Sequence, residues 1–196
     1  MTDLTKTCYL PGYFCPPTEK DLQLAYWLAR KTSEVREVVI VIGQEESSQI
    51  PAKVNQDIFD IYLRETGGDI VKTVVSTEDS PRHYIYKLVE DSIEEPFILA
   101  IPEKVAKSIE FTKKFRRFKN HEIIIIPEYD YSIRQDMIDA VRENNMKDFM
   151  SFITPELNKF SVKKIFDMLK ESIGGEDNSV IDTKNLQELY KKFGVK

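Results

Sequence analysis

Cysteine and histidine are scarce in this chain, with two of each in 196 residues. Cys8 and Cys15 stand close together, one on a presumed first strand and one in the turn after it, while His83 and His121 lie far off in sequence. These four residues show no zinc-type ligand spacing, so no metal site is expected. The cysteines read as two reduced thiols of a cytoplasmic protein. Long apolar runs are missing too, since VVIVI and IIII fall far short of the roughly 20 residues a membrane helix needs. MTDLTKT has no basic start followed by an apolar run, so no secretory signal is expected there, and no membrane partner. Glycine, 7 in all, is sparse for a fold whose enzymes use it to bring backbone close to phosphates. An excess of positive charge is absent as well. The net charge of −5 argues against bulk binding to nucleic acid or anionic membranes.

What is present suits one ordinary α/β domain with a small helical appendage, and the 41% hydrophobic fraction supplies a core. TKTCYL opens as a strand. From Thr18 to about Lys31, Leu24, Trp27 and Leu28 fall at helical spacing, with Leu22, Ala25 and Ala29 widening the stripe, which predicts a core helix with Trp27 inside. REVVIVIG is β-branched and almost continuously apolar, like a strand buried on both faces of a parallel sheet. Ile50, Val54, Ile58, Ile61 and Tyr62 then repeat at helical spacing up to Gly67-Gly68. A third strand is expected over 69–76, and a third helix from the Ser80-Pro81 pair to about residue 94. PFILAIP and HEIIIIP read as the fourth and fifth strands, with a helix in at least the first half of 103–120 between them. This alternation predicts a Rossmann-like, doubly wound parallel sheet of about five strands over 1–154, followed by a C-terminal helical extension over 155–196.

The first strand, a tight turn and a helix start meet in LPGYFCPPTEKD, the arrangement with which α/β proteins build a binding crevice. By residue type alone, Thr18-x-x-Asp21 is a helix N-cap with an acidic N3 residue, a capping-box variant worth about 1 kcal/mol. The adjacent acids Glu19 and Asp21 are expected to hold the Cys15 thiol's pKa up rather than down. Gly12, Phe14 and Pro16 also match G-x-F-x-P-x-H-x-G-H. The stretch therefore resembles the signature of the nucleotidylyltransferase superfamily, in the form found in cytidylyltransferase-like and nicotinamide-nucleotide-adenylyltransferase-like proteins of bacteria and phages. IPAKVNQDIFDIYLRETGG, STEDSPRHYIYKLVED and DAVRENNMKDFMSFITPEL extend the resemblance along the chain. It implies a nucleotide site at Gly12, Tyr13, Phe14, Thr18, Ser132 and Arg134. For an active member it implies nucleotidyl transfer from a nucleoside triphosphate bound with Mg²⁺.

The chemistry departs from that pattern. Thr18 stands where the family has its first histidine, and Lys20 and Asp21 stand for the glycine and second histidine. A phosphate approaching the positive end of this helix would meet carboxylates instead of imidazoles. The second family motif, I-S-S/A-T/S-x-x-R, corresponds to Tyr131-Ser132-Ile133-Arg134-Gln135-Asp136-Met137-Ile138, which puts Ile138 at the arginine position and Arg134 one helical turn earlier. Such a shift displaces the guanidinium by roughly 5–6 Å. Ser132 reads as the N-cap of the helix SIRQDMIDAVREN. His83 and His121 pair with no nucleophile or carboxylate at motif spacing and read as surface histidines.

Basic residues do gather in one place. Lys104, Lys107, Lys113, Lys114, Arg116, Arg117 and Lys119 face only Glu103 and Glu110, with Phe111, Phe115 and Phe118 interleaved. The ordinary reading is a core-facing phenylalanine stripe with a solvated basic back; the functional one is a surface for nucleic acid or an acidic protein partner. Beyond it, Val162, Ile165, Phe166 and Leu169 predict a helix. After the linker GGEDNS, a last helix is expected, capped at Asp182 or Thr183 with Leu186, Leu189 and Tyr190 on its apolar side. The combined expectation is a catalytically degenerate nucleotidylyltransferase-fold protein that acts by binding, not as an enzyme, with residual nucleotide affinity and no resident cofactor. Its setting would be the host cytoplasm if the chain comes from a phage. Two alternatives stand beside it: an active nucleotidylyltransferase that uses Lys20, Arg134, Lys113 and Arg116 with Mg²⁺, and binding of nucleic acid or an acidic partner through 104–119.

Overall fold

The computed structural model describes residues 6–31, 33–78, 80–90, 96–109, 121–128 and 131–174. The elements run β1 (Lys6–Gly12), α1 (Glu19–Lys31), β2 (Val35–Ile42), α2 (Ala52–Thr66), β3 (Val71–Val75), α3 (Pro81–Glu90), β4 (Phe97–Pro102), α4 (Glu103–Ile109), β5 (Glu122–Ile126), α5 (Tyr131–Arg142), α6 (Met146–Phe149) and α7 (Lys159–Ser172). The five strands form one parallel sheet in the order β3-β2-β1-β4-β5. β1 is central, with Cys8 in register with Val38 on one side and Ile98 on the other.

The period-2 alternation of each strand divides the core in two. Cys8, Leu10, Val38, Ile40 and Ile98 face the layer built by α1, α2, α5 and α7. Val41, Phe97, Leu99 and Ile101 face the opposite layer, where Ile85 of α3 and Ala106 of α4 lie. Right-handed crossovers demand this arrangement. Winding outward through β2 to β3 puts α1 and α2 on one face, and returning past β1 to β4 and β5 puts α3 and α4 on the other. The reversal leaves a topological switch point between the carboxyl ends of β1 and β4.

The elements predicted within the described residues are found, and their punctuation follows the expected chemistry. Gly67 ends α2 in the left-handed region at φ 72° and donates its N–H to the Leu63 carbonyl, a conformation that favours glycine. Ser80 accepts the His83 N–H at 3.2 Å at the start of α3. Trp27 corrects the sequence reading. It is 43% exposed and carries the Lys31 ammonium 4.1 Å from its ring centroid. α1 turns Leu22, Ala25 and Leu28 inward, and at about 100° per residue Trp27 then lies on the far side.

α7 belongs to the same core as the sheet. Val162, Ile165, Phe166 and Leu169 are buried, and Phe166 meets Phe149 edge-to-face at 5.1 Å. Glu65 at the end of α2 ties down the helix start, accepting from Asn158 Nδ2 at 2.6 Å and from Ser161 Oγ at 2.9 Å. No helix among the described residues is long and apolar enough to cross a membrane. The last helix expected around Leu186, Leu189 and Tyr190 lies outside the described residues.

Candidate functional site

β1 delivers the chain to the switch point through Pro11 and Gly12, and the turn that follows is built to go inward. Phe14 takes φ 50°, a left-handed conformation that costs a β-carbon residue roughly 1–2 kcal/mol. Its ring is buried edge-to-face against Phe59 at 5.4 Å, and that packing offsets the strain. The Cys15–Pro16 bond is cis. Tyr62, fully buried at the back of the turn, donates to the Pro17 carbonyl at 3.2 Å. Burial pushes its phenol pKa up, and the Asp21 and Glu19 carboxylates push the same way, so it stays a proton donor.

At Thr18 the turn becomes α1, and the amides of Thr18, Glu19, Asp21 and Leu22 find partners within the protein. Thr18 donates both its N–H, at 2.8 Å, and its hydroxyl, at 2.9 Å, to Asp21 Oδ2. The Glu19 N–H goes to the Phe152 carbonyl at 2.9 Å, and those of Asp21 and Leu22 go to the Thr18 carbonyl. Half of the expected capping box is present: the Asp21 carboxylate accepts the Thr18 N–H, but the Thr18 hydroxyl donates to it as well instead of accepting the Asp21 N–H. Asp21 Oδ1 takes a further bond, from Arg134 Nη2 at 2.7 Å, while Arg134 Nη1 donates to the Pro16 carbonyl at 2.6 Å. The guanidinium carbon lies 5.8 Å from the Phe14 ring centroid. Thr18, Asp21 and Arg134 are all buried, at 4%, 4% and 6% exposure.

Three cavities surround this cluster. One of about 210 Å³ opens at the switch point between Gly12, Tyr13, Arg82, Pro102 and Glu128. A second, about 260 Å³, lies between the starts of α1 and α5, with Lys20, Asp21, Glu128 and Arg134 on its wall. The third, about 380 Å³, runs behind the turn between Cys15, Ser48, Gln49, Arg134 and Arg142. Glu128 separates the first from the second, and Arg134 separates the second from the third.

The residues singled out from sequence therefore part company. Gly12 and Tyr13 line the open switch-point crevice, whereas Phe14 is core. Lys20 is exposed and shares the second cavity with Arg134. Ser132 is exposed in the first turn of α5, which begins at Tyr131 and so puts Ser132 one residue inside the helix instead of at its cap. Ile138, half-buried, lines the third cavity. Cys15 sits 2.7 Å from Ser48 Oγ, and its pKa is raised, but by burial first and with Glu45 as the contributing acid in place of Glu19 and Asp21. His83 is exposed and next to Tyr86. His121 stacks on Phe97 at 3.7 Å, with its Nδ1 accepting the Phe97 N–H, where β4 and β5 begin. Among the described residues no three His, Cys, Asp or Glu side chains converge as metal ligands. Of the basic segment, Lys104 and Lys107 are exposed on α4, Lys107 paired with Glu103. Lys113, Lys114, Arg116, Arg117 and Lys119 lie outside the described residues.

Sequence reading missed the bond between Asp21 and Arg134. Each had registered singly, as a departure from a motif, and 113 positions separate them. An acid gained at one helix start together with an arginine displaced at another was the available signal. Only the fold brings the two together.

No family model matches the sequence, and no curated protein matches it. Solved structures do. A protein assigned as a nicotinate-nucleotide adenylyltransferase from Vibrio parahaemolyticus aligns over 84% of this chain and 98% of its own, with a TM-score of 0.51 and 14% identity. A bifunctional NMN adenylyltransferase/ADP ribose pyrophosphatase from Francisella tularensis aligns over 94% of this chain with a TM-score of 0.55 and 18% identity; this chain spans 56% of its length. At these identities the likeness is one of fold: a Rossmann-like parallel α/β architecture shared with these adenylyltransferases.

Proposed function

We propose that this chain is a nucleotidylyltransferase-fold protein that acts by binding and no longer transfers a nucleotidyl group. The observation that carries the reading is the buried contact of Arg134 with Asp21 and the Pro16 carbonyl. Transfer from a nucleoside triphosphate needs preorganised donors aimed at the oxygens where charge develops. Here the guanidinium and the amides of Thr18, Glu19 and Asp21 already serve acceptors of the protein itself. Glu19 and Asp21 stand at the helix start with Glu128 on the same cavity wall; Arg134 is already paired with Asp21, which leaves Lys20 to offset only part of the carboxylate charge that an incoming triphosphate would meet. The switch-point crevice is different. Gly12, Tyr13 and Arg82 line open space there, and residual nucleotide affinity is assigned to it.

The test pairs two measurements on the purified chain. Pyrophosphate release from ATP or CTP with Mg²⁺, across a panel of phosphorylated acceptors, is expected to stay at the blank. Thermal midpoint, followed against the same nucleotides, is expected to rise, since a ligand at 100 times its dissociation constant adds about 2.7 kcal/mol. Acceptor-dependent turnover, abolished in Lys20→Ala, would sink the reading.

One observation favours the alternative of a working enzyme. Lys20 and Arg134 line the same cavity, so a nucleotide able to draw Arg134 off Asp21 would meet two cations there, with Mg²⁺ arriving on its phosphates.

A further inference from the structure

We propose that Asp21 is an internal stand-in for a phosphate: its carboxylate fills from within an anion seat formed by Arg134 and Thr18, and so holds that seat shut. Buried ion pairs contribute little net stability compared with apolar side chains of similar volume. This one instead resembles a ligand complex. One carboxylate oxygen takes an amide and a hydroxyl from Thr18, the other takes the Arg134 guanidinium, and Arg134 is itself held in place by the Pro16 carbonyl. Amide, hydroxyl and guanidinium together are the donors that grip a phosphate oxygen. The seat also has space beside it. The cavity of about 260 Å³ is walled by Thr18, Asp21 and Arg134 themselves, with the exposed Lys20 on the same wall, so an anion entering there would contact the donors that Asp21 now occupies. Neutralising the carboxylate weakens its hold on these donors and removes its repulsion of an incoming anion.

The proposal rests on reading this end of the cleft as closed, and its test is independent of turnover. Binding of sodium pyrophosphate is measured by calorimetry at low ionic strength for the wild type, Asp21→Asn, and Asp21→Asn with Arg134→Gln. Asp21→Asn is expected to bind at least about tenfold more tightly than the wild type, and the double variant to lose the gain. Equal binding by wild type and Asp21→Asn overturns the proposal, and so does a gain that survives loss of Arg134. Asp21→Ser, a smaller neutral replacement, carries the same expectation should the asparagine variant not fold. In Asp21→Asn, rising pyrophosphate must move the Arg134 side-chain N–H resonances; stationary signals there while others shift also overturn it. Turnover of a nucleoside triphosphate by the wild type would sink the proposed function and leave these outcomes readable. Absence of the gain would sink only this inference.

Discussion

The turn after β1 serves two regions a few residues apart, and they are finished in opposite ways. At Gly12 and Tyr13 the backbone ends in a crevice whose walls, Arg82 and Glu128 among them, still face open space. At Thr18, Asp21 and Arg134 the polar groups are buried and already bonded to one another. One end of the cleft keeps room for a ligand while the other has replaced the ligand with its own side chain. Under the proposed function, affinity and turnover depend on different ends of one turn and can be lost separately.

The largest effect should come from breaking the closed end. Arg134→Met leaves the Asp21 carboxylate buried without its guanidinium, and urea unfolding should show a loss of about 3–5 kcal/mol. A loss below about 1 kcal/mol would mean that the pair is solvated and that the contrast between the two ends is smaller than drawn. Next comes the open end. A β-carbon on Gly43 would lie 2.4 Å from Pro81 Cγ and 3.1 Å from Tyr13 Cδ1. Gly43→Ala should therefore cost about 1–3 kcal/mol by overpacking, and it should weaken nucleotide binding, since Tyr13 and Pro81 both wall the crevice. Unchanged thermal shift with ATP and CTP in that variant would remove the crevice as the binding end.

A finer probe is Thr18→Val, which keeps the shape and deletes only the hydroxyl bond to Asp21. A loss of about 1.5 kcal/mol in the same unfolding experiment is expected for a hydrogen bond to a charged acceptor. The gentlest probe is thiol reactivity. Burial pushes the Cys8 pKa up to about 12 and raises that of Cys15 as well, so at neutral pH both remain protonated and slow with a disulfide reagent. Cys15 shares a cavity wall with Arg134. Its labelling should quicken in Arg134→Met while Cys8, inside the sheet, stays slow. Equal rates for both thiols would show that the variant loosens the whole domain and not one end of the cleft.

The scaffold was legible because its signals are local. REVVIVIG needs only its own β-branched run to be read as a buried strand, and Gly67 marks a helix end through a backbone angle that other residues resist. Trp27 misled because α1 carries apolar residues around much of its circumference, and the choice of inward face is made by β2 and α2, not by the helix itself. The site was half legible. Thr18 and Asp21 interact across one helical turn, so their capping contact was visible in four letters. The partner of Asp21 comes from α5, and nothing in either segment names the other. Placing Ser132 at the cap of α5, which begins at Tyr131, erred by two residues, within the ordinary blur of helix ends.

The anchoring of α7 sets a limit on how this protein can be shortened. A version stopped at residue 154 would keep the five strands yet bare the aromatic flank of Phe149 and leave Glu65 without Asn158 and Ser161. Such a fragment should clump in solution, so any shortening has to leave α7 in place.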